Sequence, residues 1–254
     1  MIAIITDFGI KDHYAGTLHG VVKKISPTSD IVDVTHHVEP FNIYEGLFRL
    51  LDCFEYFPEN TVFLAIVDPG VGSSRDILLV RSHSRYFIAP DNGILTPFIR
   101  SSEFTVRLKK DTSFFDFTSS TFHGRDLFAP FAAYVDMGQY EKFVEEVAKK
   151  PKIIEFKAEI SNDYIKGKVA YIDRFGNLVT NIRFDDIGFY PFSVKLKDKV
   201  IDVYYENYDQ SAENELFFLK GSSSRLEISI KNGNASEKLT NMYENVIITK
   251  CDMI

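Results

Sequence analysis

Four short polar segments fall where apolar stretches begin or end. They are Thr6-Asp7-Phe8-Gly9 after IAII, Asp68-Pro69-Gly70-Val71-Gly72 after VFLAIV, Ala89-Pro90-Asp91-Asn92-Gly93 after RYFI, and Thr121-Phe122-His123-Gly124-Arg125-Asp126 before an apolar helix. In an open α/β sheet, ligands bind outside the carboxyl ends of the parallel strands. One such turn carries little information, because Asp, Pro and Gly are ordinary turn formers. Four of them, mixing carboxylates with Arg75 and His123, read as one site assembled from distant sequence.

Each candidate has a chemical reading and a purely structural one. Asp7 ends a strand, where a carboxylate can accept two hydrogen bonds from a ribose diol. Asp12 follows, and it could equally cap the next helix. In Asp68-Pro69-Gly70-Val71-Gly72-Ser73-Ser74-Arg75 the glycines let backbone approach a ligand closely, but the segment lacks the GxxxxGK[ST] and GxGxxG patterns of phosphate loops. Asp68 and Arg75, seven residues apart, can be bent into an ion pair that either serves chemistry or only stiffens the loop. His123 opens a helix, where the macrodipole disfavours imidazolium and leaves a neutral ring able to accept a proton; a buried or capping His would look the same. His36-His37, with Asp7, Asp68 and Asp91 as oxygen donors, raises a metal. No HxH, HExxH or DxH pair accompanies them, so no metal site is expected.

The second half adds two polar turns. In Asp173-Arg174-Phe175-Gly176-Asn177 a β-turn joins two strands, while Phe175 could stack on a flat purine and Asn177 could bond its edge. Gly221-Ser222-Ser223-Ser224, followed by Leu226-Glu227-Ile228, is either a second loop for the same ligand or a flexible turn.

Composition bounds the class. A 254-residue chain with 45% hydrophobic and 26% charged residues is that of a globular protein with a proper core. The net charge of −7 argues against nucleic acid. Cys53 and Cys251 match no metal or redox spacing, and Cys53 within FRLLDCFEYF reads as a small buried hydrophobe. No apolar stretch approaches the roughly 20 residues of a membrane span. The chain opens on the strand MIAIITD rather than a signal-like segment, so a cytoplasmic protein is expected.

The elements that must position these residues alternate in the first half. Strands are expected at IAII, 30–35, 61–67, 77–81, 86–89 and 104–108, the fourth and fifth as a hairpin. Helices are expected at 12–25, 41–57, 124–135 and, as a charged surface helix, 140–149. After Lys149-Lys150-Pro151-Lys152 the segments become short, β-branched or aromatic, and broken by Gly, Asn and Ser. Seven strands are expected there, at 167–173, 178–182, 192–196, 200–204, 216–219, 226–230 and 246–249. The fold class is therefore an N-terminal α/β sheet domain, residues 1–150, followed by a smaller C-terminal all-β barrel domain, residues 151–254.

TDFG with Asp12, DPGVGSSR, APDNG, FHGRD, DRFGNLVTNI and GSSS…LEI occur in this order along nearly the whole chain. Together they resemble the S-adenosylmethionine hydrolase (adenosine-forming) family, the S-adenosylmethionine hydroxide adenosyltransferases, which are related to the fluorinase and chlorinase. The resemblance implies a homotrimer with active sites between neighbouring subunits. It implies an Asp–Arg–His triad that holds the attacking water, which by motif falls on Asp68, Arg75 and His123. It also implies that Asp7 holds the ribose hydroxyls, that Asp12 and Asp173 lie at the methionine end, and that Phe175 and Asn177 contact adenine. Ser222 and Glu227 match ligand-binding positions of the barrel loop. Val179 stands where the halogenases carry Trp.

The resemblance implies hydrolysis of S-adenosyl-L-methionine to adenosine and L-methionine, with no cofactor and no metal. A sulfonium departs as a neutral thioether and needs no general acid, so the protein must supply a positioned oxygen nucleophile in line with the C5′–S bond. Two other readings stay open: a halide-using adenosyltransferase on the same scaffold, and a non-catalytic adenosine or S-adenosylmethionine binding protein. The halogenases lack the triad, so its presence favours hydrolysis. A small-molecule nucleoside is the expected partner, with neither nucleic acid nor membrane.

Overall fold

Ile2–Thr6 is apolar at nearly every position and forms β1, buried on both faces. Beside it lie the parallel strands β2 (Ile31–Thr35) and β3 (Val62–Ile66), and β5 (Arg85–Pro90) continues parallel to β3. The antiparallel strands β4 (Ile77–Ser82), β6 (Phe104–Leu108) and β7 (Val144–Glu146) complete a seven-stranded sheet in the order β2-β1-β3-β5-β4-β6-β7. The computed structural model describes residues 1–111, 115, 119–189, 191–239 and 244–250. Cys251 lies outside the described residues.

Strand alternation sends successive side chains to opposite faces, and helices cover both. On one face Ile2, Ile4, Val62 and Leu64 pack with Leu18 and Val22 of α1 (Tyr14–Ile25) and with Phe131 and Ala132 of a later helix, Ala129–Asp136. The other face carries α2 (Ile43–Cys53) and α3 (Thr96–Arg100), with Phe63 stacked on Phe87 and Phe87 on Phe98. The helix Ala129–Asp136 is α4, and a π-type turn over Gly124–Phe128 leads into it. Because β1, β3 and β5 are parallel, the TDFG, DPGVG and APDNG segments leave from one edge of the sheet.

The chain divides into two compact units, Met1–Ile154 and Glu155–Ile254. Residues after Pro151 still belong to the first, since the Lys152 amide donates to Asp91 Oδ1 at 2.8 Å and the Ile154 amide to Thr96 Oγ1 at 3.0 Å. The second unit is antiparallel: β8 (Glu159–Ile160), β9 (Tyr164–Ile172), β10 (Leu178–Arg183), β11 (Phe192–Leu196), β12 (Lys199–Ile201), β13 (Leu216–Lys220), β14 (Arg225–Ile230), a short α5 (Ala235–Leu239) and β15 (Asn245–Lys250). The strand order is β12-β11-β15-β9-β10-β14-β13. Beyond β12 the chain bridges back to β13, with the Phe218 amide donating to Val203 and the Tyr205 amide to Phe218, so the sheet rolls into a barrel. Val169, Leu178, Val194, Phe218, Ile228 and Ile248 fill its interior.

Two expectations are corrected. The charged helix over 140–149 is a 3₁₀ turn, Glu141–Phe143, followed by β7, which pairs with β6 and joins Glu145 to Arg107 at 3.0 Å. Asp12 does not cap α1, because the N-cap is His13 and it makes no side-chain cap bond.

Candidate active site

The loop after β3 returns on itself through Gly72, whose φ of +81° favours glycine, and an added Cβ would sit 3.0 Å from the Ser120 carbonyl. The return brings Arg75 against Asp68. Arg75 Nε donates to both carboxylate oxygens at 2.7 and 2.8 Å, and Nη2 donates to Oδ2. Both side chains are buried, 9% and 6% exposed, and the guanidinium lies 5.6 Å from the Phe128 ring centre. The same Nη2 stands 3.1 Å from His123 Nδ1. A guanidinium only donates, so Nδ1 is the acceptor and His123 is neutral with its proton on Nε2. Burial and then the Arg75 charge hold its pKa below the ordinary value, against the opposing pull of Asp68 and Asp126.

Asp68 and His123 face a cavity of about 270 Å³ shared with Asp7, Phe8, Tyr14 and Phe122. Phe8, Tyr14 and Phe122 make edge-on contacts, and Gly124 is where Phe8 and Phe122 come within 3.2 and 3.1 Å of an added Cβ. Asp7 Oδ2 accepts the Phe41 amide at 2.8 Å, and burial raises its pKa despite that bond. Arg75 and His123 both line a neighbouring cavity of about 260 Å³, with Ser73, Ser74, Lys109 and Lys110, so that His123 borders both cavities and Arg75 only this one. Asp12 is exposed and is not among the described residues lining either cavity.

The APDNG segment does other work. Asn92 Nδ2 donates to the Val67 carbonyl at 2.7 Å and its Oδ1 accepts the Ile94 amide, tying the end of β3 to the start of α3. Asp91 is held by the Lys152 amide. Its role in the described unit is to anchor chain.

In the second unit a cavity of about 840 Å³ is lined by Asp173, Phe175, Asn177, Ser222 and Glu227, five of the expected residues. Asp173 staples the β9–β10 turn: Oδ1 accepts the amides of Phe175 and Asn177, each at 2.9 Å, and Oδ2 accepts Asn177 Nδ2 at 2.9 Å. Gly176 has φ +86°, and Asn234 packs where its Cβ would stand. The turn presents Phe175, 76% exposed, beside a buried Asn177. Asn177 Nδ2 also donates to Tyr208 Oη at 3.2 Å, and Tyr208 donates to Glu227 Oε1, which also accepts from Ser229 at 3.0 Å. Both amide hydrogens of Asn177 are thereby engaged, which leaves Oδ1 as the group able to meet a ligand. Burial raises the Glu227 carboxyl and the Tyr208 phenol above their ordinary values, and the Tyr208–Glu227 hydrogen bond pushes the phenol further.

Tyr208 is the residue that sequence reasoning missed. It sits in ENYDQ between β12 and β13, 31 residues from Asn177, and only barrel closure brings them together.

Matches to known families decide the kinship. Residues 2–144 match the SAM hydroxide adenosyltransferase N-terminal domain, and residues 167–248 match its C-terminal domain. The chain belongs to the SAM hydroxide adenosyltransferase family. Within it, the chain is similar to the (R)-S-adenosyl-L-methionine hydrolase of Methanocaldococcus jannaschii, 34% identical over 96% of this chain and 93% of that protein. It is 29% identical to the hydrolase of Thermus thermophilus over 94% of each chain. A fluorinase from Actinopolyspora mzabensis is 27% identical but covers 74% of this chain and 73% of its own. Among solved structures, an uncharacterized conserved protein from Thermotoga maritima superposes with a TM-score of 0.89 at 34% identity, covering 98% of this chain and 100% of that one. Among the described residues no helix is long and apolar enough to cross a membrane.

Proposed function

We infer that this family member hydrolyses S-adenosyl-L-methionine to adenosine and L-methionine, by in-line attack of a held water on the ribose C5′. The observation that carries the reading is the pairing of Arg75 with Asp68 and His123 behind a cavity that only the latter two face. A carboxylate offers about four lone-pair sites, three of them engaged by Arg75. The remaining one accepts an O–H of the water, and His123 Nε2–H donates to the water oxygen. Arg75 holds both groups and fixes the histidine tautomer, so it is a positioning residue. As C5′–O forms, the C5′–S pair leaves with methionine as a neutral thioether. The water's proton passes to Asp68 and on to solvent. Desolvation and alignment supply the acceleration, and no step is routed through a metal or cofactor.

Asp7 is proposed to hold the ribose hydroxyls. In the barrel unit, Phe175 stacks on adenine and Asn177 Oδ1 accepts its exocyclic amine, with Ser222 and Glu227 beside the ligand. Asp173 already serves the turn, and its Oδ2 retains room for the methionine ammonium. Asp12, exposed and without a described cavity, is proposed for the methionine end on resemblance alone. A homotrimer with sites between neighbouring subunits is part of the same reading and rests on the family resemblance. A cytoplasmic location belongs to the same reading.

The test is to incubate purified protein with S-adenosyl-L-methionine in halide-free buffer and identify products by chromatography. Adenosine and methionine are expected, with Asp68→Ala and His123→Ala each lowering kcat on the order of 10²-fold or more. A need for added halide would favour the haloadenosine-forming alternative, and tight binding without turnover would favour a binding protein.

A further inference from the structure

His19, Asp33 and His36 form a cluster that the hydrolytic machinery does not use. His19 is on α1, Asp33 on β2, and His36 in the turn that follows. Ile4 pairs with Asp33 but Ile5 pairs with Thr35, so a bulge interrupts β2 between them. Asp33 and His36, three apart in sequence, meet in consequence. His19 Nε2 lies 2.8 Å from Asp33 Oδ1 and His36 Nε2 lies 3.0 Å from the same oxygen. The ligand atoms of the three residues all fall within 4.8 Å of one another.

A second observation points to a ligand. His36 is 5% exposed, and its Nε2 has no hydrogen-bond partner among the described residues. Its other nitrogen, Nδ1, is 2.8 Å from Thr6 Oγ1. In the tautomer whose Nδ1–H donates to that hydroxyl, Nε2 presents a lone pair toward a carboxylate oxygen, and it is this tautomer that a metal ion would select. A buried polar atom left in this state costs roughly 1–3 kcal/mol, and a cation between the two atoms removes the conflict. An imidazole whose second nitrogen is fixed by a protein oxygen is also the usual outer arrangement around a metal-bound histidine.

We propose that His19, Asp33 and His36 form a binding site for a zinc-like divalent transition-metal ion, apart from the hydrolytic site. Two imidazoles and a carboxylate suit such an ion with water in the fourth position, whereas calcium and magnesium prefer all-oxygen shells. Bonds of about 2.0–2.2 Å set tetrahedral ligand atoms roughly 3.3–3.6 Å apart, so the two histidine–carboxylate separations of 2.8 and 3.0 Å must open by about half an ångström, within a cluster whose ligand atoms all lie within 4.8 Å of one another. His19 and Asp33 are partly exposed and can give that movement. The ion would join α1 to the edge strand β2. It would also stiffen the turn carrying Asp7, because Thr6 Oγ1 accepts the Phe8 amide and the His36 carbonyl accepts the Gly9 amide at 2.7 Å.

The experiment is equilibrium dialysis of untagged, chelator-stripped full-length protein against zinc, with cobalt absorption as a report of coordination. One ion per chain is expected. Affinity should fall by more than about 100-fold in His19→Ala and Asp33→Asn, and by about 10–100-fold in Thr6→Val, the range for loss of an outer partner. His37→Ala, at an exposed neighbour, should bind as wild type. Zinc should raise the melting temperature of wild type and not of His19→Ala. The absence of saturable uptake of either metal overturns the proposal, and so does uptake equally strong in His19→Ala and Asp33→Asn. Loss of uptake in His37→Ala would move the site elsewhere and overturn it as well.

Discussion

Replacing Arg75 by Met removes the three hydrogen bonds to Asp68 and the one to His123 while keeping the aliphatic stem. Asp68 is then a buried carboxylate without its partner, a change that costs about 3–5 kcal/mol when such pairs are broken. The more diagnostic effect is on His123. Its pKa is held below 6.5 first by burial and second by the Arg75 charge. A folded-state pKa lowered for a histidine means that the neutral form prevails at pH 7, and that folding stability is full above the unfolded value and declines as pH falls through the folded one. In the proposed mechanism the neutral ring accepts from Arg75 through Nδ1, so the acid limb of kcat is expected below the ordinary imidazole value. Arg75→Met should move that limb, and the His123 titration seen by NMR, to higher pH. Arg75→Lys keeps the charge without the planar fork; it should leave the limb low while kcat falls on the order of 10²-fold. Titrations that coincide in wild type and Arg75→Met would refute the tautomer argument and return Arg75 to a merely structural role.

Other outcomes follow from the same geometry. Asn177→Ala should weaken adenosine binding by about 1–3 kcal/mol in calorimetry, since it removes Oδ1 and leaves Asp173 and Tyr208 short of a donor. Tyr208→Phe should raise KM more than it lowers kcat, because the phenol connects Asn177 to Glu227 and touches no atom of the triad; an equal fall in kcat and kcat/KM would argue against that role. Asn92→Ala should lower the unfolding free energy by about 1–3 kcal/mol in denaturant titration, with KM unchanged, as expected of a residue that ties β3 to α3.

The parallel strands and their polar ends were legible because buried strands read as unbroken apolar runs and their turns need Asp, Pro and Gly. The pairing of Asp68 with Arg75 was legible for the same reason: both lie in one short loop. The motif resemblance then supplied the site roles that spacing alone left open. The segment 140–149 was misread because a three-residue edge strand flanked by charges shows too few positions to declare a period of two. APDNG was grouped with the site by its composition, yet Asn92 spends both ends of its amide on backbone. Tyr208 and the His19–Asp33–His36 cluster were invisible for a different reason. Each depends on a contact made by the fold, barrel closure in one case and a strand bulge under a helix in the other.

The cavity in front of the triad is lined by two carboxylates, Asp7 and Asp68, by a neutral imidazole, and by no Lys or Arg among its described residues. Arg75, outside the lining of this cavity, pairs with Asp68, so the Asp7 carboxylate is the main uncompensated charge facing the cavity. Such a recess has an electrostatic sign, one that in the proposed reading would favour entry of a sulfonium. Transfer of C5′ to oxygen cancels that charge, leaving an uncharged nucleoside and an uncharged thioether where a cation had been. The attraction that drew the substrate therefore ends with the bond that the reaction breaks. Burial raises the Asp7 carboxyl above its ordinary value, so a bound cation would in turn pull its pKa back down. In that reading the uncharged products are held without the electrostatic attraction that favours the substrate's entry.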